Sequence, residues 1–115
     1  MLVIAPEGPL DGPSIDLLLD QAFGRGRFRK ISYRYRVGMA PVAGLCLVAR
    51  ASGALLGSIR YWPVRLGTRP ALLLGPLAIA PERQGQGIGR ALVQASLEQA
   101  ERAGWRHVFL VGDPA

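Results

Sequence analysis

Residues 72–104 read LLLGPLAIAPERQGQGIGRALVQASLEQAERAG, an apolar segment, a glycine-rich turn and a helical pattern in direct succession. The apolar part, 72–80, is too short for a membrane span and too rich in Leu and Ile for a surface loop, so it reads as a buried strand. Pro81 has no amide to donate to a ladder and closes it. Gly85, Gly87 and Gly89 then fall at every second position, which clears side chains from a turn where a partner must approach the backbone closely. A helix begins there. Its first amides lack partners within the helix and its dipole adds partial positive charge, so the turn is suited to holding phosphate.

Three phosphate-binding patterns compete for this turn. The nucleoside-triphosphate loop needs Gly-Lys followed by Ser or Thr, whereas this turn ends Gly89, Arg90, Ala91. The dinucleotide fingerprint G-x-G-x-x-G would begin at Gly85 and Gly87, but Arg90 stands where its third glycine belongs. It also expects an acidic residue about 20 positions further on, where the chain has Trp105, Arg106 and His107. The pattern that fits is Q-x-x-G-x-G, at Gln84, Gly87 and Gly89, directly after a strand ending Ala80-Pro81-Glu82.

At these residues the chain resembles the GCN5-related N-acetyltransferase (GNAT) family, in which this loop holds the pyrophosphate of acetyl-coenzyme A. The run Leu77-Ala78-Ile79-Ala80-Pro81-Glu82-Arg83 matches that family's lead-in strand as well. The bland alternative is a plain strand-to-helix turn, which seldom needs three alternating glycines beside Arg83 and Arg90. The resemblance implies an α/β (α+β) fold of the acyl-CoA N-acyltransferase type, a mixed, mostly antiparallel twisted sheet with helices on both faces. It also implies acetyl-CoA as co-substrate, held by Leu77, Ala78, Ile79, Arg83, Gln84, Gly85, Gln86, Gly87, Ile88, Gly89 and Arg90. In this family the sheet splays at the lead-in strand and the pantetheine arm adds along it like a further β partner.

The totals set the frame. The chain has 115 residues, half of them hydrophobic and 19% charged, which fits one globular domain over 1–115. No apolar run reaches the roughly 18 residues of a membrane span, and the start MLVIAPEGPLDGP lacks the basic opening of a secretion signal. A cytoplasmic location is the expectation. Lone Cys46 reads as a buried strand residue. The net charge is +6 and 13 of the 14 basic residues are arginine, a balance that favours anionic partners without choosing among them. Arg25, Arg27, Arg29, Lys30, Arg34 and Arg36 lie together without an acid, interleaved with Phe28, Tyr33 and Tyr35. Such a segment is most often a solvated face, and it can also stack on single-stranded nucleic acid. By the resemblance it lines the acceptor side, where it would favour an amine that bears an anionic group.

In chain order, residues 3–5 read as a short edge strand. Asp11 or Ser14 caps a helix with Ile15, Leu18, Leu19 and Ala22 on its apolar stripe and Gly24 as its stop. Residues 45–51 and 55–64 form a hairpin joined by Ser52, Gly53 and Ala54. A loop at 66–70 leads to the 72–80 strand, where Gly75-Pro76 signals a bulge that leaves Leu77 and Ile79 unpaired toward a cleft. The helix spans 88–103 with Ile88, Ala91, Leu92 and Ala95 inward and Arg90, Gln94, Glu98 and Glu101 wet. Gly104 stops it, and 106–111 is a fifth strand, parallel to 72–80, with Val108 and Leu110 buried. One histidine and one cysteine assemble no metal site.

The chemistry expected is acetyl transfer to a neutral primary amine of a small molecule or peptide by direct attack. A backbone donor at Leu77 or Ile79 would serve the oxyanion. The family's glutamate on the central strand has no counterpart here, and the helix that bears its proton-donating tyrosine would follow Gly112-Asp113-Pro114-Ala115. The fold is therefore expected to be C-terminally incomplete, a fragment that lacks that final helix and the last two strands. Tyr61, Tyr33 and Tyr35 are donors in principle and packing or acceptor-side aromatics by preference. The open edge at 108–111 invites pairing with a second copy. Two other readings stand beside acetyl transfer: a non-catalytic acyl-CoA-binding module and, ranked below it, a basic nucleic-acid-binding domain.

Overall fold

Alternating apolar runs separated by glycine turns build a sheet of five strands in the order β1–β2–β3–β4–β5. The computed structural model describes residues 2–23, 41–42 and 44–110. The strands are β1 (Val3–Pro6), β2 (Leu47–Ala51), β3 (Ala54–Leu66), β4 (Arg69–Ile79) and β5 (Val108–Leu110), with helices α1 (Gly12–Phe23) and α2 (Ile88–Arg102). β1 to β4 pair antiparallel and β5 joins β4 in parallel, the mixed, mostly antiparallel sheet expected. The basic segment 25–36 with Phe28, Tyr33 and Tyr35, the Gly24 stop, Val111 and residues 112–115 lie outside the described residues.

The turns are tighter than the sequence reading had them. Ser52 (φ 51°) and Gly53 (φ 81°) alone connect β2 to β3, and Ala54 already pairs with Ala51. Two central residues with positive φ make the connection that best matches strand twist. Likewise β3 and β4 continue to Leu66 and Arg69, joined by Gly67 and Thr68, where a longer loop was expected. Pro63 is tolerated inside β3 for a geometric reason. Leu72 opposite it donates to His107 on the β5 side, so the 63–72 pair is not hydrogen-bonded and the ring faces away from β4, beyond the end of β2.

Helix α1 starts at Asp11, whose carbonyl accepts from Ile15 (2.9 Å), but the Asp11 carboxylate turns back to the Gly8 amide (2.7 Å) and to Arg50. Its cap is thus a main-chain one, and Ser14 is exposed within the helix. At the other end of α2, Gly104 donates to Glu101 and Trp105 to Ala100, each at 3.0 Å. With Gly104 at φ 91° this is the double-bonded stop that glycine permits.

Both helices pack on the sheet, one on each face. On β3 the Tyr61 hydroxyl meets Ser96 of α2, whereas neighbouring Arg60 points the opposite way, pairs with Glu7 (3.0 and 3.1 Å) and feels Asp16 of α1. Ile15, Leu18 and Leu19 of α1 and Ile88, Leu92, Ser96 and Ala100 of α2 are buried. The α2 stripe therefore runs four residues apart along one line. Ala91 and Ala95, expected inward, are half-buried, while Arg90, Gln94, Glu98 and Glu101 are exposed as expected. Val108 is likewise half-buried rather than buried. Cys46 is buried against Tyr61, and its desolvation pushes the thiol pKa up.

Candidate functional site

The break in β4 comes where Gly75-Pro76 announced it. Ile59 pairs with Leu77 but Tyr61 with Leu74, so Arg60 alone faces two residues of β4, and the Gly75–Pro76 peptide bond is cis. Gly75 has φ 134°, a conformation L side chains rarely adopt. Past the bulge, Ala80 donates to the Leu56 carbonyl at 2.8 Å. Ala80 and, two residues back, Ala78 therefore aim their main chain at β3, and Leu77 and Ile79 aim theirs at the opposite side. On that side β5 reaches only to Leu110 opposite Leu74, so among the described residues no strand pairs with β4 beyond this point.

The loop continues this open edge. Pro81–Arg83 form one turn of 3-10 helix, closed by Arg83 N–H to the Ala80 carbonyl (2.8 Å). Gly85 (φ 83°) and Gly87 (φ 86°) then adopt left-handed conformations, and among the described residues nothing lies within 4 Å of where their Cβ atoms would stand. These two glycines are needed for backbone conformation, and no described residue fills the space beside them. Gly89 differs, because a Cβ there would sit 3.7 Å from Leu77 and Ile79 side-chain carbons, an ordinary contact.

The first bond within α2 is Ala91 N–H to the Gly87 carbonyl at 3.0 Å. The amides of Gly85, Gln86, Gly87, Ile88, Gly89 and Arg90 have no acceptor among the described residues. They stand together at the positive end of the helix dipole. Arg83, Gln84 and Arg90 are exposed around them, and neither arginine has an ion-pair partner among the described residues. Ile88 anchors the terminus, its side chain buried against Gly57 of β3. The fold thus brings Leu77, Ile79 and residues 83–90 onto one margin, while Ala78 is buried with its main chain turned to β3.

Three residues that support this margin escaped the sequence reading. Gly57 lets α2 approach closely: a Cβ there would lie 2.9 Å from Leu92 Cδ1 and 3.1 Å from both Ile79 Cδ1 and Ile88 Cγ2. A glycine inside a strand pattern was the available signal. Trp62 donates its indole N–H to the Gly75 carbonyl at 2.6 Å. Ser96 lies 2.7 Å from the Tyr61 hydroxyl and bonds the Leu92 carbonyl at 2.7 Å. Ser96 has one proton to give, so Tyr61 donates to it. Burial raises the Tyr61 pKa, and this side chain packs the core, away from the open margin. His107, just before β5, is at the far end of the sheet from the loop. A cavity of about 230 Å³ beside Glu7 and Cys46 does not touch residues 77–90. Among the described residues no group of three or more His, Cys, Asp or Glu is placed to hold a metal, and no helix is long and apolar enough to cross a membrane.

Comparison with known proteins places this geometry. The model of the acetyltransferase (GNAT) family matches residues 16–115. The uncharacterized N-acetyltransferase YhbS of Escherichia coli K12 is 30% identical over 116 residues, covering 99% of this chain and 69% of its own. A crystal structure of YhbS in complex with CoA superposes with TM-score 0.81 at 30% identity, over 98% of this chain and 63% of that one. A GNAT family acetyltransferase from Brucella melitensis in complex with acetyl-CoA gives TM-score 0.80 at 30% identity, over 100% of this chain and 78% of that one. With the sheet, the glycine loop and these likenesses in agreement, the chain belongs to the acetyltransferase (GNAT) family, whose general chemistry is acyl transfer.

Proposed function

We propose that the chain binds acetyl-CoA along the outer side of β4 and the loop after it, and transfers the acetyl group to a primary amine by direct attack. The observation that carries this reading is the run of amides from residue 85 to residue 90 with no described acceptor, at the start of α2. Such donors suit a pyrophosphate, and exposed Gln84, Arg83 and Arg90 are spaced to support the remaining phosphate charge. The fit is also steric, because no described residue lies within 4 Å of the Gly85 and Gly87 Cβ positions.

When bound, acetyl-CoA supplies a thioester whose carbonyl gains negative charge as an amine attacks. The residues of this chain contribute orientation and donors. The outward main chain of Leu77 and Ile79 offers a ladder edge for an extended amide-bearing arm, and one of these amides is the candidate donor to the thioester oxygen. Half-buried Leu77 and Ile79 side chains, packed near Gly89, keep water from that edge. The acceptor amine must arrive neutral, since an ammonium has no lone pair. A cytoplasmic location, a small-molecule or peptide acceptor and self-association through the outer edge of β5 belong to the same proposal.

A non-catalytic acyl-CoA-binding module is the second reading. It is favoured by Tyr61, the one described tyrosine, whose hydroxyl is committed to Ser96. Calorimetry with acetyl-CoA followed by thiol release against a panel of primary amines separates the readings. Binding with turnover supports transfer, binding without turnover supports the module, and no binding at millimolar acetyl-CoA refutes both.

A further inference from the structure

The bulge in β4 decides which residues face the open edge. Before it, Leu72 donates to His107 and so points its main chain at β5, as does Leu74. In an unbroken register that phase would continue to residues 76 and 78, and Leu77 and Ile79 would aim at β3. The extra residue opposite Arg60 reverses the phase, so Leu77 and Ile79 face outward and Ala78 inward. A bulge also takes its extra residue out of the ladder, and here the Gly75 carbonyl accepts from the side chain of Trp62, at 2.6 Å. Trp62 is on β3 opposite Leu73, just before the point where the pairing slips. On the other face its neighbour Tyr61 ties β3 to Ser96 in α2.

We propose that Trp62 is a positioning residue that locks β4 in the shifted register, so that Leu77 and Ile79 rather than Ala78 present main-chain groups to the cleft. Its consequence for catalysis rests on the acyl-transfer reading of that edge, whereas the register effect stands without it. The loop amides lie at the start of α2 and in the turn just before it, whereas the Trp62 N–H bonds to Gly75 of β4, so the two halves of the margin respond differently when that N–H is removed.

The test compares Trp62→Phe, which keeps an aromatic ring and drops the donor, with Trp62→His, whose Nε2 corresponds to the indole nitrogen. The first readout is residue-resolved amide exchange without ligand. Loss of one net hydrogen bond predicts exchange at Ala78 and Ala80 faster by about five- to tenfold in the Phe variant, with α2 unchanged and the His variant close to wild type. The second is steady-state kinetics, where kcat falls by about five- to tenfold while KM for acetyl-CoA stays within about twofold. Unchanged exchange at Ala78 overturns the proposal, as does an equal rise throughout α2, which would mean general loosening. A rise confined to Ala78 and Ala80 in a protein that binds no acetyl-CoA upholds the register role and refutes the functional reading alone.

Discussion

A methyl group at Gly57 would test how closely α2 rests on the sheet. Gly57→Ala would bring Cβ to 2.9 Å from Leu92 Cδ1 and 3.1 Å from Ile79 Cδ1 and Ile88 Cγ2. Carbon atoms rest at about 3.5–4.0 Å, so the 2.9 Å contact must open by roughly 0.6 Å or more and the two at 3.1 Å by a few tenths of an ångström. Leu92 and Ile88 are buried, and Gly57 itself is enclosed, so the contacts with those two are relieved by a small outward shift of α2, and the third by the end of the Ile79 side chain on β4 turning aside. Overpacking of this kind costs about 1–3 kcal/mol, and since the crowded atoms are side-chain ends the lower half of that range applies. For a domain of this size about 1–2 kcal/mol lowers Tm by roughly 4–8 °C. Because Ile88 opens the helix that carries the unpaired amides and Ile79 belongs to the open edge, acetyl-CoA affinity should fall as well, by about threefold or more. Thermal denaturation followed by circular dichroism measures the first effect and calorimetry the second. Gly12→Ala, with nothing within 4 Å among the described residues and no positive φ, is the control and should leave Tm unchanged or slightly raised. A Gly57→Ala protein with wild-type Tm and wild-type affinity would refute the packing argument.

At Gly89, where a Cβ meets only ordinary contacts, Ala should hold or raise stability by up to about 1 kcal/mol through helix propensity while weakening acetyl-CoA binding, a split read by denaturant unfolding and calorimetry. Ser96→Ala leaves the buried Tyr61 hydroxyl without its partner and should cost about 1–3 kcal/mol; Tyr61→Phe leaves Ser96 still bonded to Leu92 and should cost about 0.5–1.5 kcal/mol, so urea unfolding should rank the serine variant lower. Asp11 is held below its ordinary value of 3.8, chiefly by the Gly8 amide, with burial opposing and Arg50 adding to the effect. The folded state therefore favours the ionised form, and this contribution is present above about pH 3.8 and lost as pH falls through the lower folded value. Asp11→Asn should flatten the acid limb of the stability profile, and an unchanged limb would contradict the assignment.

The centre of the fold was legible because its signals are local. Gln84 to Gly89 follow in one turn, Pro81 and Gly104 mark ends, and the Gly75-Pro76 pair sits where the ladder slips. The ends of β3 and β4 were harder to read. Pro63, Pro70 and the charged residues between them look like strand breakers, yet the unpaired sides of the hairpin accept prolines that a central ladder would reject. The turn at Ser52 was misjudged by one residue because Ala54 carries no turn or strand preference of its own. Glu7 with Arg60, Asp11 with Arg50 and Tyr61 with Ser96 join positions more than 30 residues apart, and no spacing rule reaches that far. Within the site, the outward phase of Leu77 and Ile79 follows from the bulge, while Ser96, a polar residue on a helix, carries no inward signal in the sequence and is buried against Tyr61.

Residue-resolved amide exchange with and without acetyl-CoA bears most directly on whether the backbone holds the thioester carrier. The expected result is new protection at Leu77, Ile79 and residues 85–90, with Ala78 unaltered because its amide already faces β3. Saturating acetyl-CoA that leaves those amides unprotected, or protects only the α1 face of the sheet, would contradict it.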